Sequence, residues 1–251
     1  MQTFRQWHDE KHIFYRELKL NFCQCNEKQN LNLSELLRLT TDTGVEDYRQ
    51  QGMSWQFLKE HQLGILLSRV AFRFHKMPKV DNFITISTWE ETPEPLQLIR
   101  GYTITSDTDE LLVSGISSWL IVNLETRKLV RTKDFTLREP PDFKLPCRSL
   151  EAGKIILPRD LQLLNDRPIR YSDIDANGHV NNSRYGAYVV DSLPDEYQNK
   201  EYTDFRINYA HEAKKGDILH IYGSFDDNTK KIVITGKQDG GTCFDSELYY
   251  S

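Results

Sequence analysis

Residues 175–182, Asp-Ala-Asn-Gly-His-Val-Asn-Asn, place a carboxylate, a carboxamide and an imidazole on alternate positions, at Asp175, Asn177 and His179. Hydrolysis of an activated carbonyl needs a group that manages protons, donors for the oxyanion and a group that orients the attacking water. These three side chains are candidates for those tasks. An amphipathic segment follows, and a helix starting there would add unpaired backbone N–H groups and a partial positive charge.

The same string is also typical of an ordinary turn between a strand and a helix. Asn and Asp tolerate left-handed conformations, and Gly supplies a positive φ. Asn181 or Asn182 could act as nothing more than the N-cap of the helix. Taken alone, residues 175–182 therefore leave a structural turn and a catalytic loop as alternatives.

The composition limits the class of protein. The 251 residues are 38% hydrophobic and 11% aromatic, which is enough for a packed core in one large domain or two small ones. A net charge of -5 and a pI near 5.8 argue against a general nucleic-acid binder. The charged N-terminus does not resemble a secretory signal, and no apolar run approaches the roughly 20 residues that cross a bilayer.

The four cysteines, Cys23, Cys25, Cys147 and Cys243, show no zinc-binding spacing among themselves or with histidines. We expect them to be free thiols in a reducing cytoplasm. The sequence predicts neither a metal nor any other cofactor.

Hydrophobic periodicity divides the chain into two similar series of elements. The first series is a strand, a long helix and four strands, over 14–25, 30–52, 65–74, 82–89, 97–106 and 110–123. The second is a strand over 168–174, a helix over 181–193 and four strands between 204 and 251. A proline-rich stretch between the two series predicts a surface linker.

A weak internal match supports duplication, because residues 74–86 align with residues 209–221 and keep their apolar positions in register. The predicted class is α+β, with a sheet wrapped around one helix in each half.

Four segments resemble one family in the same order along the chain. The pattern Asp175-x-Asn177-x-His179-Val-Asn-Asn-x-x-Tyr185 is similar to the signature of acyl-acyl carrier protein thioesterases. Segments 80–89, 119–129 and 209–213 are similar to three further stretches of that family. The resemblance extends from about Phe14 to Tyr249.

This resemblance implies a fold and an activity. The fold would be two tandem hotdog domains, each an antiparallel sheet wrapped around a central helix. Residues 1–138 would form the first domain, with the acyl-chain tunnel, residues 139–167 a linker, and residues 168–251 the catalytic domain. The activity would be hydrolysis of fatty acyl-acyl carrier protein thioesters, which releases free fatty acid and ends chain elongation.

The resemblance also implies catalytic roles for Asp175, Asn177, His179 and Glu212. Plant members have a cysteine after the glutamate, whereas this chain has Ala213, so no thiol can attack from that position. This difference favours water activated by a carboxylate and an imidazole. We expect Glu212 to lie on a strand, partly desolvated, and either Glu212 or Asp175 to be the base.

An acyl carrier protein is acidic, so its docking face on this chain should be basic. Candidate docking residues are Arg127, Lys128, Arg131, Lys133, Lys214 and Lys215. Such clusters are more often solvated surface, because exposed charges contribute little. A second copy of this chain is another possible partner, and the oligomeric state stays open.

Three alternative functions stay open. A coenzyme A thioesterase would use the same residues and differ only in docking. A hotdog hydratase would have Asn-Pro-x-His, which Asn177-Gly-His179 does not match. A non-catalytic acyl-thioester sensor would need an output module, and none is expected before Phe14. The lack of a transit-peptide pattern is typical of a bacterial-type, cytoplasmic member.

Overall fold

The computed structural model describes residues 4–146 and 148–251, and within them twelve strands form one antiparallel sheet. The strands of the first half are β1 (Gln6–His8), β2 (Phe14–Lys19), β3 (Leu63–Phe74), β4 (Phe83–Glu91), β5 (Leu98–Ser106), β6 (Leu111–Asn123) and β7 (Leu129–Val130). Those of the second half are β8 (Gln162–Pro168), β9 (Tyr202–Tyr209), β10 (Ile218–Asp226), β11 (Lys231–Gln238) and β12 (Gly241–Tyr250). The spatial order is β1-β2-β4-β5-β6-β3-β9-β12-β11-β10-β8, and β7 pairs with β6.

Two helices are packed on this sheet, one in each half. They are α1 (Leu33–Gln50) and α3 (Arg184–Asp191); two short helices, α2 (Trp55–Glu60) and α4 (Asp195–Gln198), follow them. Both long helices are amphipathic, and most of their apolar residues are buried, as their spacing predicts; Val45 of α1, which is 50% exposed, is an exception. In α3 the ring of Tyr185 packs 5.1 Å from the ring of Phe244 on β12, measured between centroids.

The predicted α+β class and the repeated order of elements are confirmed. Within the described residues the first half contributes seven strands and the second half five, and each half carries its own helix. The halves join where β3 pairs with β9, from Arg69 opposite Asn208 to Arg73 opposite Asp204. None of the helices in the described residues is long and apolar enough to cross a membrane.

Two predicted elements were misplaced. Strand β8 begins at Gln162, inside the predicted linker over 139–167, and the residues after Pro168 form a short 3-10 helix at Tyr171–Asp173. Because β8 lies at the edge of the sheet and is mostly exposed, it lacks the alternation that reveals a buried strand. The first predicted strand, over 14–25, is also shorter, since β2 ends at Lys19. The domain boundaries stay a prediction.

The two long helices approach closely at Gly186. A Cβ atom added there would lie 3.1 Å from the backbone nitrogen of Ser34 and 2.8 Å from Cδ1 of Leu37. Because backbone atoms cannot move aside easily, a side chain at this position would push α3 away from α1. Gly186 therefore sets the distance between the two halves beside the 175–182 loop.

We expect Gly186→Val to lower the free energy of unfolding by about 2 kcal/mol through overpacking. Ala187→Val, on the same helix, introduces the same β-branched side chain without this backbone contact, and its loss of helix propensity should cost only about 0.5 kcal/mol. Urea unfolding of both variants measures the difference. Equal losses in the two would show that the helices do not constrain each other at Gly186.

Candidate active site

A tight loop presents the three residues of the sequence motif. It is closed by hydrogen bonds from Asp175 N to His179 O at 2.9 Å and from Gly178 N to Asp175 O at 3.0 Å. Gly178 has a φ of 82°, which glycine adopts without strain. The Asp175 carboxylate accepts a hydrogen bond from the backbone N–H of Asn177 at 2.8 Å, which forms an Asx turn.

Glu212 lies in the loop after β9, which ends at Tyr209, so its predicted position on a strand was wrong. The backbone around it is held by two hydrogen bonds. Val180 N donates to Ala213 O at 2.9 Å, and the side chain of Gln238 donates to Glu212 O at 3.2 Å. The first of these bonds ties the glutamate loop to the histidine loop.

His179 and Glu212 meet in the folded chain, with Nε2 of the histidine 3.0 Å from Oε2 of the glutamate. Their side chains retain 24% and 44% exposure, respectively, so water reaches both. Glu212 is more exposed than the sequence led us to expect. A carboxylate bonded to an imidazole can accept a proton from water and pass it on.

Asp175 and Asn177 share the loop with His179, but their side chains form no hydrogen bond to the histidine–glutamate pair. The Asp175 carboxylate is used by the backbone of Asn177. The carboxamide of Asn177 has no hydrogen-bond partner among the described residues, and the residue is exposed. Their catalytic roles stay predictions.

The backbone N–H groups before α3 are only partly used. Asn181 N donates to Asp173 O at 2.9 Å, so it is already used. The Asn181 side chain accepts a hydrogen bond from Ser183 N at 2.9 Å, which is an Asx turn. The N-cap of α3 is Ser183, so the N-cap position predicted for Asn181 or Asn182 was wrong. Within residues 4–146 and 148–251, the backbone N–H of Asn182 has no partner and can serve an oxyanion.

A buried carboxylate, which sequence reasoning missed, supports the loop. Asp173 is 1% exposed, and its carboxylate accepts hydrogen bonds from Arg170 N at 2.8 Å and from Arg184 Nη2 at 2.9 Å. Burial acts to raise the pKa of Asp173, but the hydrogen bonds from Arg170 and Arg184 outweigh it and hold the pKa below its usual value. The only signal in the sequence is an acidic residue two positions before Asp175.

The thiol near this site is not suited to nucleophilic attack. Cys243 is buried, and burial raises the pKa of its thiol to about 11, so it is protonated at neutral pH. Ala213, which stands where plant members have cysteine, is fully buried. Cys147 lies outside the described residues. Within those residues no group of three His, Cys, Asp or Glu side chains could hold a metal ion.

The first half repeats the loop geometry without the catalytic side chains. Asn26 N donates to Asn30 O at 2.8 Å, and Leu31 N donates to Pro78 O at 2.8 Å, as Val180 does to Ala213. This loop also follows a short 3-10 helix and precedes a long helix. At the positions of Asp175, His179 and Glu212, the first half has Asn26, Asn30 and Met77.

A cavity of about 760 Å³ is lined by residues of the first half and of the stretch 139–143, and neither His179 nor Glu212 is among them. Its lining includes His8, Trp89, Glu90 and Arg138. Nε2 of His8 is 2.9 Å from Oδ1 of the buried Asp47. Nothing links this cavity to the pair, so the candidate site is the 175–182 loop with Glu212.

Solved structures of the same architecture confirm the fold. The crystal structure of an acyl-ACP thioesterase from Bacteroides thetaiotaomicron has a TM-score of 0.87 at 23% identity and covers 95% of this chain and 98% of that one. The 12:0-ACP thioesterase from Umbellularia californica has a TM-score of 0.81 at 14% identity and covers 95% of this chain and 97% of that one. Two helix-wrapping sheets joined edge to edge thus define a double hotdog protein.

Two family models identify the family. The model of the acyl-ACP thioesterase N-terminal domain matches residues 11–139, and that of the C-terminal domain matches residues 159–242. The chain belongs to the acyl-ACP thioesterase family.

Plant relatives are similar over most of this chain. Oleoyl-acyl carrier protein thioesterase 2 of Arabidopsis thaliana is 26% identical over 208 residues, 78% of this chain and 53% of the relative. The palmitoyl-acyl carrier protein thioesterase of Gossypium hirsutum is 20% identical over 241 residues, which are 90% of this chain and 58% of the relative. Both are chloroplastic. The chain therefore spans about half of the length of these relatives.

We expect Asp173→Asn to lower the free energy of unfolding by about 2 kcal/mol, because it leaves the half-buried Arg184 without its charged partner. Since the pKa of Asp173 is lowered in the fold, this contribution is complete above the ordinary aspartate pKa of about 3.9 and is lost as pH falls through the folded value. Denaturant unfolding of both proteins between pH 7 and pH 3 should show the difference shrinking.

Asp191→Asn is the matched control. Its carboxylate is 59% exposed and lies 3.5 Å from Arg167, so its removal should cost less than about 0.5 kcal/mol. Similar losses in both variants, at all pH values, would contradict a supporting role for Asp173.

Proposed function

We propose that this protein hydrolyses the thioester of fatty acyl-acyl carrier protein and releases free fatty acid, which ends chain elongation. Membership of the family supports this activity. The observation that carries the proposal is the contact between His179 and Glu212, at 3.0 Å.

In the proposed reaction Glu212, bonded to His179, removes a proton from water as the water oxygen attacks the thioester carbonyl carbon. The carbonyl electrons move to its oxygen, and the Asn182 N–H and the Asn177 carboxamide stabilise this oxyanion. When the carbonyl reforms, the C–S bond breaks. The sulfur leaves as a thiolate and receives the transferred proton through His179, which restores the pair.

The role of Asp175 has two readings. In the first, Asp175 holds the loop by bonding the backbone of Asn177, which its hydrogen bond supports. In the second, Asp175 is itself the base, and Glu212 orients the histidine. The first is favoured because the Asp175 carboxylate is already used by the backbone, whereas Glu212 is 44% exposed and bonded to an imidazole.

The proposed partner is an acyl carrier protein that bears a fatty acyl phosphopantetheine. The acyl chain would lie in the first half, as the resemblance implies. Among the described residues Cys23, Cys25 and Cys243 are free, as expected in a reducing compartment, and we place the protein in the cytoplasm.

Thiol release from matched acyl-carrier-protein and acyl-coenzyme A thioesters, over a range of acyl lengths, tests the function directly. We expect faster release from the carrier-protein series because the family models describe acyl-ACP thioesterases. Release from the coenzyme A series alone would show that the substrate is an acyl-coenzyme A thioester and not an acyl-carrier-protein thioester. Tight binding of both series with no release would make the protein a sensor.

We expect Glu212→Gln to lower kcat by about 10²–10⁴-fold, because the amide cannot accept the proton. Asp175→Asn should lower it less if Asp175 only holds the loop. Asn30→Ala, at the position of His179 in the first half, is the control and should stay within about 2-fold of wild type. Rates near wild type for both Glu212→Gln and Asp175→Asn would overturn the mechanism.

A further inference from the structure

An exposed aromatic side chain stands next to the catalytic loop. Tyr171 is 81% exposed, and neither the function nor the core accounts for it. It begins the 3-10 helix at Tyr171–Asp173, four residues before Asp175, the first residue of the 175–182 loop. Single exposed apolar side chains are common on protein surfaces, so the exposure of Tyr171 assigns it a role only together with its surroundings.

The backbone that carries Tyr171 is rigid. On its N-terminal side Ile169 N donates to Asp217 O at 2.9 Å, and Gly216 N donates to Ile169 O at 3.2 Å. On its C-terminal side the buried Asp173 accepts a hydrogen bond from Arg170 N at 2.8 Å. The ring is therefore presented to solvent from a fixed base, which is how aromatic anchors at protein interfaces reduce the entropy cost of binding.

Positive charges surround this ring. Arg170, Lys214 and Lys215 are all exposed, and the ammonium group of Lys215 lies 5.8 Å from the centre of the Tyr171 ring. The carboxylate of Asp217 accepts a hydrogen bond from Lys214 N at 2.8 Å, so it is already partnered. Nearby, Glu212 is paired with His179.

This patch is continuous with the catalytic pair. Lys214 and Lys215 follow Glu212 after one residue, and the hydrogen bond from Val180 N to Ala213 O joins their loop to the loop of His179. The other basic cluster from the sequence, around Arg127, lies at the β6–β7 hairpin of the first half. No described contact connects that hairpin to the catalytic pair.

We infer that Tyr171, with Arg170, Lys214 and Lys215, forms the docking surface for the acyl carrier protein, Tyr171 being its apolar anchor. This inference rests on the proposed function, since it names where the partner of the same site binds. An acidic partner fits the three cations, and a surface next to His179 lets the phosphopantetheine arm reach the pair.

The duplication supplies a matched control. Phe22 begins the corresponding 3-10 helix of the first half and is 87% exposed, and Lys79 stands at the position of Lys214. That half has Asn30 and Met77 in place of the catalytic pair. An exposed aromatic ring away from the pair should therefore not contribute to docking.

The test combines kinetics with binding. Kinetic assays use acyl-carrier-protein, acyl-coenzyme A and acyl-pantetheine thioesters of one chain length. We expect Tyr171→Ala to raise the KM for the carrier-protein thioester, relative to that for acyl-pantetheine, by about 10-fold or more. Tyr171→Phe should keep most of the affinity because the ring remains, and Phe22→Ala should match wild type.

Binding of fluorescently labelled holo-acyl carrier protein, followed by anisotropy, does not depend on turnover. The Kd should rise about 10-fold in Tyr171→Ala and further in Lys214→Glu. Binding by the wild-type protein should weaken as NaCl is added. Absence of turnover by wild type together with these binding changes would refute the proposed hydrolysis and keep the docking surface.

Three results would overturn the inference. The first is equal loss for acyl-pantetheine and carrier-protein thioesters, which would place Tyr171 at the arm or the reacting group. The second is a larger loss for acyl-coenzyme A, which would make the patch a nucleotide site. The third is unchanged binding and KM in Tyr171→Ala, or an equal effect of Phe22→Ala.

Discussion

The antiparallel pairing of β3 with β9 is the constraint on which the rest of the molecule depends. It joins two sheets edge to edge, so both helices lie on one continuous sheet and meet each other at Gly186. The pairing also covers two edges that would otherwise expose unpaired backbone groups. With the helices fixed, the loop before α3 has one position relative to the loop after β9. The contact between His179 and Glu212 follows from that arrangement.

The two halves share a backbone and differ in their interiors. The second half holds the candidate catalytic pair at its surface, whereas the first half buries an ion pair between Arg100 and Asp47, 2.7 Å apart and each 1% exposed. A pair buried this deeply adds little net stability, because desolvation offsets the attraction. It does fix one arrangement of α1 against β5, since either charge alone would be costly. The same backbone arrangement therefore carries a polar pair at the surface in one half and a buried ion pair in the other.

The candidate catalytic pair is supported mostly by backbone and by residues to which no chemistry is assigned. Asp173 and Gln238 hold the loops, Val180 and Ala213 join them, and Asn181 closes the turn before the helix. Such support matters because proton transfer and oxyanion stabilisation both depend on geometry to within fractions of an ångström. Replacement of the plant cysteine by Ala213 is compatible with this design. Alanine fills the buried position and brings no nucleophile to it.

The sequence by itself determined the class of fold and the family. Periodicity located both long helices and most strands, since their buried faces leave a regular apolar pattern, and four ordered motifs pointed to the family. The predictions from the sequence that were wrong have a physical cause. Strand β8 is an exposed edge strand without that apolar pattern, and Glu212 follows a strand that ends three residues earlier. Only the tertiary structure paired His179 with Glu212, placed the N-cap of α3 at Ser183 and revealed Asp173. Those contacts join residues through space, and local sequence carries no record of which distant backbone group each will meet.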